Sequence, residues 1–254
     1  MSRECQILRV FTRNELGGNH LGVITDLTGL TPETMQAIAA DLGFSETIFC
    51  DVSGEVPSAR IFTPGAEMPF AGHPLVGLGW ALNDFHPGSV DRIRCGIGEV
   101  AVSREDGDTW IQAPGNQPVE PIDPPPLDGQ VAVSVLMPIP YMVVQFSSSR
   151  QVAEMVPPPI SFGEVFVWAW EDPGRVAKAR FFAAEVGVPE DPATGSAAIA
   201  LAAYLRTTGQ TEGRLVVHQG DEIGHPSTIQ LKWDAVSSSI GGTVIRDEVR
   251  ELDI

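Results

Sequence analysis

The chain has 254 residues, 43% of them hydrophobic, enough for one large domain or two smaller ones with real cores and too apolar for wholesale disorder. Its 33 acidic against 16 basic residues give a net charge of −17, and Lys178 and Lys232 are its two lysines, so a nucleic-acid partner is not expected. The opening MSRECQILRVFTR lacks the apolar core of a signal peptide and no stretch of about 18 apolar residues follows, so the expected setting is cytoplasmic, with no membrane span.

The first clear element is a helix opened by Thr31 and Pro32, a good N-cap and first-turn pair. Met35, Ile38, Ala39 and Leu42 form one apolar stripe on it, and Gly43 is placed to end it. ETIFCDV (46–52) reads as a strand with Glu46 at its mouth. RIFTPGAEMP (60–69) then opens as a short strand and leads into FAGHP (70–74), a turn rich in Gly and Pro. LVGLGWAL (75–82) follows, apolar or small nearly all round, which predicts a buried helix. EVAVS (99–103) is a further strand.

Pro114 to Pro126 holds six prolines, predicts an extended, stiff connector, and marks a boundary between lobes at 1–117 and 118–254. Beyond it VAVSVLM (131–137), YMVVQF (141–146) and EVFVWAW (164–170) read as strands. RFFAAEVGVP (180–189), EDPATGS (190–196) and AAIALAAYL (197–205) then repeat the earlier strand, turn and apolar helix in the same order. RLVVHQ (214–219) and STIQLKW (227–233) add two more strands. Three elements recurring in order indicate an internal duplication. The predicted fold is α+β, with two pseudo-symmetric lobes, each a curved, mostly antiparallel sheet wrapped around a central apolar helix. The last strand is free to pack back on the N-terminal lobe.

Cys5, Cys50 and Cys95 form no CxxC pair, and the histidines have no HxH or HxxxH spacing, so neither a disulfide framework nor a metal site is expected. No phosphate-binding glycine motif is present, so no nucleotide cofactor is expected either. Gly72 and Gly195 stand at the starts of the two apolar helices, where unpaired N–H groups and the positive end of the dipole favour an anion. Facing each other, the two ends would receive a small carboxylate. His73, Asp191 and Ser196 project from the same two turns, although each is also an ordinary helix-start residue. Glu46 is either an exposed strand-end carboxylate or, aimed into an apolar cleft, a proton carrier with a raised pKa.

FTRNELGGNHLGVI (11–24), FSETIFC (44–50), RIFTPGAEMPFAGHPLVG (60–77), VPEDPATGSAAIALAAYL (188–205) and QGDEIGHPS (219–227) resemble, in order, the signature segments of the phenazine-biosynthesis PhzF family. The resemblance implies the diaminopimelate-epimerase-like fold with a site between its lobes, and an isomerase that moves a proton on a ring acid without cofactor or metal. It implies Glu46 as the proton shuttle, His73 and Asp191 beside it as catalytic partners, and Ser196 with Gly72 and Gly195 as substrate-binding residues. It also implies a homodimer. Diaminopimelate epimerase and proline racemase share the fold but oppose two cysteines, which neither turn here contains. A two-base racemase would therefore need a second acid that these segments do not supply, and a carboxylate-binding protein without activity is the other alternative. Leu75 replaces the family's usual Thr, and His225 its usual Arg, which bears on the substrate more than on the proton transfer.

Overall fold

Thr31 caps the first helix as expected: its Oγ1 accepts from the Thr34 N–H at 3.3 Å, and Gly43 closes the helix in the left-handed region at φ 67°. This helix, α1 (Pro32–Leu42), buries Met35, Ile38 and Ala39 against Phe49 and Phe62. The structure, a computed structural model, describes residues 2–85, 90–113, 117–123, 127, 129–137 and 139–253. The connector's residues 114–116 and 124–126 lie outside these. Among the described residues no helix is long and apolar enough to cross a membrane.

The N-terminal half contributes strands β1 (Ser2–Val10), β2 (Asn19–Ile24), β3 (Glu46–Asp51), β4 (Ser58–Phe62), β5 (Glu67–Met68), β6 (Arg92–Cys95), β7 (Gly98–Glu105) and β8 (Asp108–Ala113). The C-terminal half contributes β9 (Val119–Pro121), β10 (Val131–Leu136), β11 (Pro140–Gln145), β12 (Glu164–Asp172), β13 (Val176–Ala183), β14 (Val188–Asp191), β15 (Gly213–Gln219), β16 (Ser227–Trp233), β17 (Ser238–Gly242) and β18 (Val244–Asp253). With its helices, this is a mixed α+β fold rich in sheet.

The pairing order repeats. In the first half it runs β18-β1-β2-β3-β4-β6-β7-β8, with β5 on β4. In the second it runs β9-β10-β11-β12-β13-β15-β16-β17, with β14 on β13. The parallel pairs fall at matching places: β2–β3 and β4–β6 in one, β11–β12 and β13–β15 in the other. β8 pairs with β17, so the hydrogen-bonded sheet runs on from one half into the other.

The proline-rich connector differs from its predicted form, because Val119–Pro121 is a short strand on β10. A proline is tolerated there because β9 ends the ladder and needs no N–H on its outer side.

Two helices pack against the strands of the two halves. α2 (Gly72–Phe85) lies against β1, β2, β3, β7 and β8, and α4 (Gly195–Thr207) against β9, β10, β11, β16 and β17. Gly195 to Leu205 is buried without a break, which is why α4 has no polar face in the sequence. A shorter helix, α3 (Ser149–Glu154), occupies in the second half the place of α1 in the first.

The duplicated Arg-apolar-Phe segments also repeat in side-chain geometry. Arg60 forks onto Glu67 at 2.7 Å and lies 5.2 Å over the Phe62 ring. Arg180 forks onto Glu190 at 2.8 and 2.7 Å and lies 4.9 Å over Phe182. Arg180 is buried, and its remaining N–H groups are met by carbonyls at the end of α3, including Met155 at 2.8 Å. A buried guanidinium is tolerated when its donors are all used in this way.

Candidate active site

Gly72 and Gly195, far apart in sequence, meet in space. A Cβ added at Gly72 would lie 2.8 Å from the Gly195 Cα and 2.6 Å from Ile240 Cδ1. One added at Gly195 would lie 3.1 Å from the Gly72 Cα and closer still to the Ile240 methyl. Only two residues without side chains allow backbones to approach so closely. The N-termini of α2 and α4 therefore abut, with two positive dipole ends side by side.

The polar side chains gather around this junction. Glu46, the first residue of β3, pairs with Leu21 of β2, and its carboxyl comes within 3.3 Å of His73 Nδ1 in the first turn of α2. The contact is close but not aligned as a hydrogen bond, and Glu46 Oε2 is buried without a partner. Burial first, then the charges of Asp191 and Glu164, hold the Glu46 carboxyl well above the usual carboxylate range. Burial likewise pushes His73 down to about 3, against a hydrogen bond to the His20 backbone. His73 is thus a neutral imidazole at physiological pH. In an NMR titration its carbon-bound proton shifts are expected to stay flat from pH 8 down to about 4, and a midpoint near 6.5 would contradict this assignment.

Asp191 ends β14 and is also buried. Its Oδ1 accepts from Asn19 Nδ2 at 2.8 Å and Ser45 Oγ at 2.7 Å, and its Oδ2 from Thr194 Oγ1 at 2.5 Å. Burial raises its pKa against these three bonds. Gln219 braces the same turn, donating to the Asp191 carbonyl at 2.7 Å and accepting from the Thr194 N–H at 3.2 Å. Ser196, in the first turn of α4, is 3.0 Å from the Tyr141 hydroxyl.

The structure thus brings Glu46, His73, Asp191, Ser196 and the two glycines to one place. Asn19, Ser45, Tyr141, Glu164, Thr194 and Gln219 complete the surroundings and were not singled out from the sequence. Glu46, Thr63, Tyr141, Glu164, Asp191, Thr194 and Ser196 line a tight cavity of about 30 Å³, whose other walls are apolar. Asn19, Ser45, His20 and His225 line a neighbouring groove of about 450 Å³. Asp191, which lines the cavity, is hydrogen-bonded to Asn19 and Ser45, which line the groove. Among the described residues no group of three or more His, Cys, Asp or Glu side chains is arranged to hold a metal ion.

The family model described as phenazine biosynthesis-like protein matches residues 8–122 and 140–244. The chain belongs to this family. Among its relatives, the trans-2,3-dihydro-3-hydroxyanthranilate isomerase of Pseudomonas fluorescens is 32% identical, over 89% of this chain and 88% of that one. An uncharacterized isomerase of Mesorhizobium japonicum is 30% identical over 96% of this chain and 97% of its own. The crystal structure of the Bacillus anthracis phenazine biosynthesis protein of the PhzF family matches with a TM-score of 0.83 and 25% identity, covering both chains fully. Like its named relatives, this protein is an isomerase. Leu75 and His225, which the sequence resemblance marks as departures, stand in different settings. Leu75 is fully buried within α2, whereas His225 faces His20 edge-on across the groove at 5.8 Å between ring centroids.

Proposed function

We propose that this isomerase moves a proton on a small carboxylic acid without a cofactor, with Glu46 as the base that takes the proton and the acid that returns it. The observation that carries this reading is a carboxyl with one buried oxygen that takes no hydrogen bond, close to His73 and beside two abutting helix N-termini. Two positive dipole ends repel each other unless an anion lies between them, and a carboxylate held there would have its acidified C–H next to Glu46. The C–H bond breaks toward the Glu46 oxygen, and the electron pair spreads into the carboxylate that the Gly72, Gly195 and Ser196 N–H groups hold. Neutral His73 and hydrogen-bonded Asp191 orient the substrate's other polar groups. The halves 1–117 and 118–254 act as two pseudo-symmetric lobes wrapped around α2 and α4, and the site lies at their junction.

The relative from Pseudomonas fluorescens is named for a hydroxylated dihydroanthranilate, a cyclic amino acid of the kind this site would accept. A cavity of about 30 Å³ cannot hold such a ring, so the walls around Asp191 must part to admit it. The test is incubation in deuterium oxide with trans-2,3-dihydro-3-hydroxyanthranilate and a set of cyclic and amino carboxylic acids, read by mass. Deuterium uptake into one of them is expected. Tight binding with no exchange into any would favour a carboxylate-binding protein instead.

A further inference from the structure

We infer that Gln219 is a positioning residue of this site, which turns the Thr194 hydroxyl away from its own helix and onto the Asp191 carboxylate. The inference deepens the reading of the site as a carboxylate seat served by Glu46, and rests on that reading for its consequence in catalysis.

Thr194 is the N-cap of α4, and its carbonyl takes the Ala198 N–H at 3.1 Å as an N-cap carbonyl does. A threonine in that place ordinarily uses its hydroxyl to accept from an N–H of the first turn. Thr31 does so at α1, whereas Thr194 makes no such bond. Its Oγ1 lies instead between Gln219 Nε2 at 3.0 Å and Asp191 Oδ2 at 2.5 Å, and all three residues are buried.

The directions of these bonds are settled by backbone groups that have no choice. Gln219 Oε1 lies 3.2 Å from the Thr194 N–H, which only donates, and its Nε2 lies 2.7 Å from the Asp191 carbonyl, which only accepts. The amide therefore cannot be turned over. Its second Nε2 hydrogen goes to Thr194 Oγ1, which leaves the Thr194 proton for Asp191 Oδ2. Asn19 is fixed likewise by the Ala193 carbonyl at 3.2 Å, and its Nδ2 donates to Asp191 Oδ1 at 2.8 Å. Ser45 adds a bond to the same oxygen at 2.7 Å.

Surrounded by donors, Asp191 accepts and has no proton to give, which leaves proton transfer to Glu46 alone. The charged groups around it are acidic, Glu46, Glu164 and Glu190, and His73 is neutral. The donors are thus what keep the carboxyl ionised. Burial raises its pKa, and the bond from Thr194 is the largest of those that hold it down. With the Thr194 side chain engaged there, the first turn of α4 has no side-chain cap, and its N–H groups stay open to a substrate carboxylate.

The test follows the Asp191 carboxyl by carbon-13 NMR in aspartate-labelled protein, with its signal assigned by its loss in Asp191→Asn. In wild type it is expected to be ionised at pH 7. Thr194→Val deletes the hydroxyl and keeps the shape, and Gln219→Met deletes the donor behind it. Each is expected to raise the midpoint by about one pH unit. Both break the same chain, so the double variant is expected to rise no further than the larger single. Thr194→Ser, which restores the hydroxyl, is expected to bring the midpoint back. A wild-type midpoint above pH 7 overturns the proposal, as does an unmoved midpoint in Gln219→Met or a sum of the two effects in the double variant. Should Gln219→Met fail to fold, equal midpoints in Thr194→Val and Thr194→Ser overturn it instead. Conversion of trans-2,3-dihydro-3-hydroxyanthranilate is expected to fall about tenfold in Gln219→Met and Thr194→Val alike, and undiminished conversion by both overturns the role in catalysis. Full activity of Glu46→Gln would overturn the base, while the titration of Asp191, which needs no substrate, would still decide the role of Gln219.

Discussion

Glu46→Gln is expected to abolish proton transfer and, at the same pH, to make the folded protein more resistant to heat. The first effect follows from removing the group that accepts the proton. Gln keeps the shape of the side chain but has no basic oxygen, and losing a positioned general base costs on the order of 10³-fold. The second follows from burial. The folded-state pKa of Glu46 is raised, so the protein binds its proton more tightly when folded than when unfolded. The stability this contributes is complete below the ordinary glutamate range and is lost as pH rises through the folded value. Gln does not titrate, so the melting temperature of the variant should exceed that of wild type by a margin that widens from pH 5 to pH 9. Equal melting temperatures across that range would mean that Glu46 is solvated, and its assignment as a buried proton carrier would fall.

The same reasoning explains why parts of this molecule were legible in the sequence and parts were not. α1 announces itself through local chemistry: a Thr-Pro start, one apolar stripe and a glycine able to adopt positive φ. α2 and α4 are legible because nearly every residue in them is apolar or small. β18 is not, since VIRDEVRELD alternates charge on an exposed face and owes its place to pairing with β1, more than two hundred residues away. β6, β8 and β17 are short strands that each pair with a neighbour in sequence and also with a strand distant from it, β4 for β6 and each other for β8 and β17, which their own pattern does not announce.

The site divides in the same way. Residues in the two helix-start turns could be found because the turns repeat. Asn19 and Ser45 could not, because their importance lies in bonds to Asp191, at 2.8 and 2.7 Å, that close only in the folded chain. Glu164 had one signal. Glu46 stands fourteen residues before Arg60 and Glu164 sixteen before Arg180, so extending the repeat backward brings them near register. The offset of two hides the match from a strict alignment, while the sheet aligns the two positions through their ladders.

Replacing either facing glycine by alanine is expected to damage the site, but by different routes that a second substitution separates. In Gly72→Ala the new methyl meets backbone: the Gly195 Cα at 2.8 Å and the Gly195 carbonyl carbon at 2.9 Å, besides the Ile240 side chain. Backbone in the first turn of a buried helix cannot swing aside, so α2 and α4 must separate. The expected cost is about 3 kcal/mol of stability. A shift of about 1 Å at the helix ends would further reduce turnover by about 100-fold. In Gly195→Ala the tightest contact is the Ile240 Cδ1 methyl, the far end of a side chain, while the opposing backbone stays at 3.1 Å or more. The expected cost there is about 1–2 kcal/mol.

Ile240→Val removes the methyl in question and by itself should cost about 1 kcal/mol. Combined with Gly195→Ala it should restore most of the lost stability and activity. Combined with Gly72→Ala it should restore little, since the backbone contacts remain. Urea unfolding of the five variants together with their turnover measures this directly. Equal rescue of both alanines would show that the helix ends do not abut at Gly72, and with that the anion seat between them would lose its physical basis.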